Sequence, residues 1–320
     1  MLTNFPNGIT SFGIPTAGMG GIPVTSGTYY FVNSDTGSDD YDGLSLDTPL
    51  KTVAAAYAKM TSDKYDVMVC VGKASHTISS MLTISKNRCI FVGVDGANRR
   101  YGQRTKWSMG VTTDTSDVFM VKNTGVGNVF MNIKFTNSNT LTQNKAAVGE
   151  GGEYTVYQNC EFYDATKLTS DTHAELVCNG DSAQFYGCTF GSLADAVSGD
   201  KVRPAVLLTK ATVASGKVSR DVLFDNCRFW KNAGGTSTAM VKGGATDVER
   251  VMEFHDCQFI ANVLGSTPAV AIDVATLTVG EILLTGDTCA TECTKIATAT
   301  GVINCTPARV ATDTIGIQAT

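Results

Sequence analysis

Residues 224–232 read FDNCRFWKN, and the chain carries four more stretches of the same form: FMNIKFTNS at 130–138, YQNCEFYDA at 157–165, FYGCTFGSL at 185–193 and FHDCQFIAN at 254–262. Aligned on the cysteine, that position is held by Ile133, Cys160, Cys188, Cys227 and Cys257, with a weaker sixth copy at Asp287. Three residues earlier stand Phe130, Tyr157, Phe185, Phe224, Phe254 and Leu284; two residues later stand Phe135, Phe162, Phe190, Phe229, Phe259 and Cys289. A spacing of two is strand periodicity and puts the cysteine and the second aromatic on one face. The residue before the cysteine is Asn132, Asn159, Gly187, Asn226, Asp256 or Gly286, the types that tolerate a left-handed backbone. Each copy is therefore predicted to be two short strands joined by a tight corner.

A third strand precedes each pair: DVFMV at 117, KAAVG at 145, AELVC at 174, PAVLL at 204, TAMVK at 238 and PAVAI at 268. Successive phenylalanines of the second column lie 27, 28, 39 and 30 residues apart, so the loops are elastic and the inward positions are not. That is the mark of a solenoid. Three strands per turn and a recurring corner residue specify an all-β fold, a parallel β-helix. Its rungs stack about 4.8 Å apart, so each inward residue touches its equivalent above and below.

Outside the repeat, TGSDDYDGLSLDTPLKTVAAAYAKM at 36–60 predicts a short helix with Thr48 as N-cap and Pro49 at the first helical position. Val53, Ala56, Tyr57 and Met60 fall on one face of it, suited to covering the open first rung. The segment YYFVNSDTGSDDYDGLSLDTPLKTVAAAYAKM, with its GSD…DG…P…T pattern, resembles the opening segment of pectate-lyase-like β-helix proteins, above all phage tailspikes and related virion proteins. The resemblance is specific over this motif and architectural over 67–290. It implies a right-handed, single-stranded β-helix with association in threes along the long axes. The expected plan is an extended anchoring arm at 1–27, an opening segment and capping helix at 28–66, the β-helix at 67–290, and a C-terminal cap or trimer contact at 291–320.

A formal charge of −5 argues against nucleic acid or an anionic membrane as main partner, since both need a basic face. The N-terminus has neither the basic stretch nor the apolar run of a secretory signal, and no window approaches a membrane span. Ten cysteines are then expected as buried thiols, in a chain that folds in a reducing cytosol.

Enzymes of the resembled family carry acidic residues on the outside of the helix, and glycoside hydrolysis needs two carboxylates about 5–9.5 Å apart. The loop LTSDTHAELV offers Asp171, His173 and Glu175, and GSLADAVSGDKVR offers Asp195, Asp200, Lys201 and Arg203. They are expected to be solvated loop charges. A lyase-type calcium cluster would repeat outward aspartates on one strand, and AELVC, PAVLL and TAMVK lack them. Cys289 and Cys293 form C-x-x-x-C, with His255 the nearest histidine and no second pair at zinc-site spacing. Glycines 13, 18, 20 and 21 precede neither a helix nor G-K-[ST], so no phosphate loop is read. Tyr163 and Trp230 follow inward phenylalanines and can face outward, to stack on sugar or pack against a neighbouring loop or subunit.

No catalytic residue, metal site or cofactor is assigned. The arm is rich in Gly and Pro, and Phe5, Ile9, Phe12, Ile14 and Ile22 are its apolar groups for docking into a partner. The expected function is a phage virion structural protein, a trimeric capsid-surface knob or decoration protein anchored by this arm. The alternative is a small tailspike that binds or cleaves host surface polysaccharide.

Overall fold

The computed structural model describes residues 9–11, 14–17, 22–23, 25–72, 75–94, 105–110, 114–116, 118–139, 143–164, 172–191, 203–210, 212–233, 239–263, 270–274, 276–291, 293, 295–297 and 302–304. Apart from a two-stranded antiparallel hairpin near the N-terminus, its strands fall into three all-parallel sheets of ten, eight and eight strands, and from Val67–Val71 onward every third strand is adjacent. The fold is a right-handed parallel β-helix. The first sheet runs from Tyr29–Asn33 to Val302–Asn304, the second from His76–Thr77 to Cys289–Thr291, and the third from Leu82–Ile84 to Lys295–Ala297.

The corner between first and second sheets forms as its residue types require. Asn132, Asn159, Gly187, Asn226, Asp256 and Gly286 all have positive φ, between 51° and 61°. Phe130, Tyr157, Phe185, Phe224 and Phe254 pair in register down the first sheet, with ring centroids 4.7–5.0 Å apart and planes within 8° of parallel. Phe135, Phe162, Phe190, Phe229 and Phe259 form a second column, and the two columns meet edge to face at 5.4–6.4 Å. Offset and edge-on contacts suit the ring quadrupole and add to the burial of aromatic area.

Between the columns stand the thiols, and each has a hydrogen-bonding task. Cys160 Sγ donates to the Phe130 carbonyl, Cys188 to Tyr157, Cys227 to Phe185 and Cys257 to Phe224, at 3.3–3.5 Å. A cysteine fits because it is small, apolar and still a weak donor. The sixth copy departs from the sequence reading. Gln258 pairs with Cys289 and Phe259 with Ala290, so Thr288 and not Asp287 takes the cysteine position, and Ala290 rather than Cys289 faces inward. Thr288 Oγ1 donates to the Phe254 carbonyl at 3.0 Å, the same bond made by a hydroxyl. Asp287 is an extra residue at the corner, its backbone N–H bonded to Asp256 Oδ1 at 2.7 Å.

Cys160, Cys188, Cys227 and Cys257 are buried thiols. Burial, with Cys188 and Cys257 beside it, pushes the Cys227 thiol well above its ordinary value. A thiol reagent is expected to leave these four unmodified in the native protein and to label them in denaturant with no reductant present; labelling that requires reductant would mean the column is cross-linked.

The capping helix spans Val53–Lys59 and starts later than the sequence reading placed it. Thr52, not Thr48, is the N-cap, its Oγ1 accepting from Ala55 N at 3.1 Å. Pro49 is excluded from the first turn because Asp39 Oδ1 accepts from both Lys51 N and Thr52 N, which holds that stretch extended, while Thr48 Oγ1 donates to Asp42 Oδ1 at 2.7 Å. The acidic residues of the opening motif thus build its loop. Val53, Ala56 and Met60 close the interior over the first rung, and Lys86 Nζ binds the carbonyls of Tyr57, Ala58 and Met60 at the helix end.

Candidate functional site

The third sheet offers the plainest test for surface chemistry, because its successive rungs would have to supply repeated outward carboxylates. Its outward column reads Lys122, Gly149, Val177, Leu207, Lys242 and Asp273 by strand register. Val177 of that column is buried together with Phe119, Ala146, Ala174 and Val213, so much of this face is a small apolar cluster. Asp273 is its one carboxylate among the described residues.

Of the loop charges singled out in the sequence, His173, Glu175 and Arg203 are described; Asp171, Asp195, Asp200 and Lys201 lie outside the described residues. The expectation of solvated charges fails for the three that are described. Glu175 lies within the strand Ala174–Cys178, at the bend where Met120, Ala147, Ala205 and Ala271 turn into the core on other rungs. Its Oε1 is 3.4 Å from Arg203 Nη2, with both side chains almost fully buried. Lys231 Nζ in turn binds the Arg203 carbonyl oxygen. Burying the pair is tolerable because each charge gains its opposite, and removing one partner would strand the other. Glu161 is likewise engaged, 2.7 Å from Lys134 Nζ on the outward face of the second sheet.

A further carboxylate escaped sequence reading. Glu150 ends the strand Ala146–Glu150 in the column of Ile84, Asn123, Cys178 and Leu208, with its side chain inside the helix. Oε2 accepts from Tyr157 OH at 2.6 Å and Asn123 Nδ2 at 2.9 Å; Oε1 accepts from Gly152 N at 2.6 Å and Thr155 Oγ1 at 3.2 Å. Burial pushes this carboxyl up to about 7 against the pull of the four donors. Asn128 extends the network, donating to Asn123 Oδ1 and accepting from Cys89 N. The signal was present: a tyrosine in a column mostly of phenylalanine, seven residues after a glutamate whose own column also holds Ile84, Cys178 and Leu208. The cluster is closed to solvent and braces the rung.

Tyr163 and Trp230 are partly exposed on the second sheet, and Lys134 Nζ sits 5.5 Å from the Tyr163 ring centroid. Cys289 and Cys293 are partly exposed, and His255 Nδ1 contacts Thr285 Oγ1 at 2.9 Å. Among the described residues no three His, Cys, Asp or Glu side chains converge, and no helix is long and apolar enough to cross a membrane.

Of the arm residues, Phe5 and Phe12 lie outside the described residues, as do glycines 13, 18, 20 and 21. Ile9 and Ile14 belong to a short antiparallel hairpin, Ile9–Ser11 with Ile14–Ala17, where the sequence reading had an extended arm. Ile22 packs against Val67, Val69, Ile90 and Val92 of its own chain.

No protein-family model matches the sequence, and no curated protein matches it. Among solved structures the chain is similar to pectate lyase Pel9A, with a TM-score of 0.56 and 13% identity over 80% of this chain and 62% of the lyase. It is similar at lower scores to the Aspergillus niger pectin methylesterase (TM-score 0.43, 12% identity, 83% and 86% of the two chains) and to ORF18 of Geobacillus virus E2 (0.39, 14%, 87% and 61%). The chain thus spans less than two thirds of the lyase. The likeness establishes the pectate-lyase-like β-helix fold, which by itself carries no activity.

Proposed function

We propose that this chain is a structural protein of a bacteriophage virion, a homotrimeric knob or decoration protein on the capsid surface, folded in the host cytoplasm and attached through its N-terminal arm to other virion proteins. The observation that carries this reading is the disposition of the carboxylates. Glu150 is enclosed, Glu175 is paired with Arg203, Glu161 is paired with Lys134, and the outward column of the third sheet bears Asp273 alone among its described positions. A scaffold held by aromatic and thiol columns needs no more than this. The resemblance of the opening segment to virion proteins supplies the setting.

A small tailspike that binds or cleaves host surface polysaccharide is the second reading. It is favoured by the partly exposed aromatics Tyr163 and Trp230 on the second sheet, a residue type that stacks on pyranose rings, and by the fold shared with a pectate lyase. Incubation with capsular polysaccharide separates the two: no loss of viscosity is expected, and depolymerisation would establish the tailspike.

Light scattering is expected to give three times the 33.7 kDa chain mass, and a monomer mass would remove the trimer. Removing residues 1–21, which keeps Ile22 in place, is expected to leave that mass unchanged and to abolish binding to undecorated particles. Normal occupancy by the truncated chain would move attachment onto the β-helix.

A further inference from the structure

The sixth copy of the repeat carries an inserted corner residue, Asp287, and the insertion steadies a cluster of side chains on the outward face of the first sheet. Down that face Gln158, Tyr186, Asp225, His255 and Thr285 stand in one register column. His255 Nδ1 lies 2.9 Å from Thr285 Oγ1, and Thr285 Oγ1 donates to Glu253 Oε1 at 2.6 Å. On the other side of the ring, His255 Nε2 lies 3.5 Å from Asp256 Oδ2, while the N–H of Asp287 donates to Asp256 Oδ1 at 2.7 Å. Gly286 makes room for this approach: a Cβ there would sit 2.1 Å from Asp256 Oδ1 and 2.9 Å from His255 Cε1. The cluster is open to solvent, with the His255 and Asp256 side chains 42% and 47% exposed and Thr285 partly exposed.

An aliphatic hydroxyl becomes a useful nucleophile when an adjacent base can take its proton. Thr285 has one such proton and two acceptors in reach, Glu253 Oε1 and His255 Nδ1. Nδ1 accepts only in the tautomer that carries its proton on Nε2, and the Asp256 carboxylate opposite Nε2 favours that tautomer. Hydroxyl, imidazole and carboxylate therefore stand in line, and the backbone of the inserted residue holds the carboxylate. Asp225, on the preceding rung of the column, and Glu253 add negative charge that favours a proton on the ring.

We propose that Thr285, His255 and Asp256 form a nucleophilic site that hydrolyses carboxylic esters, with an acyl group small enough to lie beside the threonine methyl. Exposure of the cluster lets an ester carried on a large molecule reach it. Thr285 Oγ1 bonds to the acyl carbon as its proton passes to His255 Nδ1; the bond to the alcohol oxygen breaks, and that oxygen leaves with the proton. Water then repeats the sequence on the acyl-threonine, giving the acid and restoring the hydroxyl. This activity goes beyond the scaffold role proposed above and does not depend on it.

Incubating the full-length protein with p-nitrophenyl acetate tests it, with nitrophenolate release followed by absorbance and acetylation mapped by mass spectrometry after an acid quench. Release above the buffer rate is expected, with acetyl on Thr285. Thr285→Val should abolish that adduct, Thr285→Ser should retain it at the same position, and His255→Ala should slow its formation roughly hundredfold. All three side chains point away from the aromatic columns, so equal urea midpoints are expected, and Thr285→Ser keeps the test open should the valine variant be less stable. Acetyl found only on lysines or thiols of the unmodified protein, or a Thr285 adduct that forms as fast in His255→Ala, would overturn the proposal.

Discussion

Replacing Phe185 by alanine is expected to lower stability by about 4 kcal/mol, read as a fall in the urea midpoint. Phe185 is fully buried, stacked on Tyr157 at 5.0 Å and on Phe224 at 4.7 Å, and meets Phe162 and Phe190 edge-on. Neither neighbouring ring can move into the vacancy without leaving its own partner, so the cavity stays. The end of the column should behave differently. Phe254 stacks on Phe224 on one side and faces Leu284 on the other, so Phe254→Ala forfeits one stacked ring instead of two. In a solenoid, stability is close to a sum of rungs and nearest-neighbour contacts, and the central substitution should cost more than the terminal one. Equal costs would mean that the columns are not coupled by contact.

The second large effect concerns pH, and two buried groups oppose each other in it. Glu150 is raised to about 7 in the folded chain from an ordinary value near 4.5, so its contribution is fully present below pH 4.5 and is lost as pH rises through 7. His76 heads the second aromatic column beside Trp107 and is 1% exposed, with neither ring nitrogen hydrogen-bonded among the described residues. Burial holds it down at about 4, from 6.5, with Asp35 pulling weakly the other way. Its neutral form is the stabilising one, so its contribution is present above 6.5 and is lost as pH falls through 4. Each amounts to about 3 kcal/mol at most, and between pH 4.5 and 6.5 they nearly cancel. The unmodified protein is therefore expected to have an almost level stability profile there. Glu150→Gln should uncover a profile that falls toward acid, and His76→Phe one that falls toward alkali. A level profile in both variants would contradict these environments.

What was legible in the sequence, and what was not, follows from how each feature is encoded. Corner and core columns were readable because each is a residue type repeated at a fixed offset, and Asn or Gly before Cys leaves few conformations to choose from. A second corner was not. Tyr154, Ser182, Asp221 and Arg250 also adopt positive φ near the start of the first-sheet strands, but only Gly127 and Asp221 in that column are types that announce it. There the rungs hold the backbone: Tyr154 N donates to the Asp181 carbonyl and Ser182 N to Arg220. The slip at Asp287 escaped notice because the spacing alone cannot tell an inserted corner residue from a substituted core residue. Glu175 and Arg203 read as loop charges because their burial depends on each other from adjacent rungs, a relation that no local pattern records. Residues 67–71 and 90–93 are apolar on both faces, and which face turns inward is a tertiary fact.

Electron microscopy of purified virions bearing a labelled antibody against this chain tests the proposed role most directly. Label distributed over the capsid surface in regularly spaced clusters is the result expected of an arm-anchored trimeric knob. Label confined to the tail tip, or absent from intact particles, would contradict it.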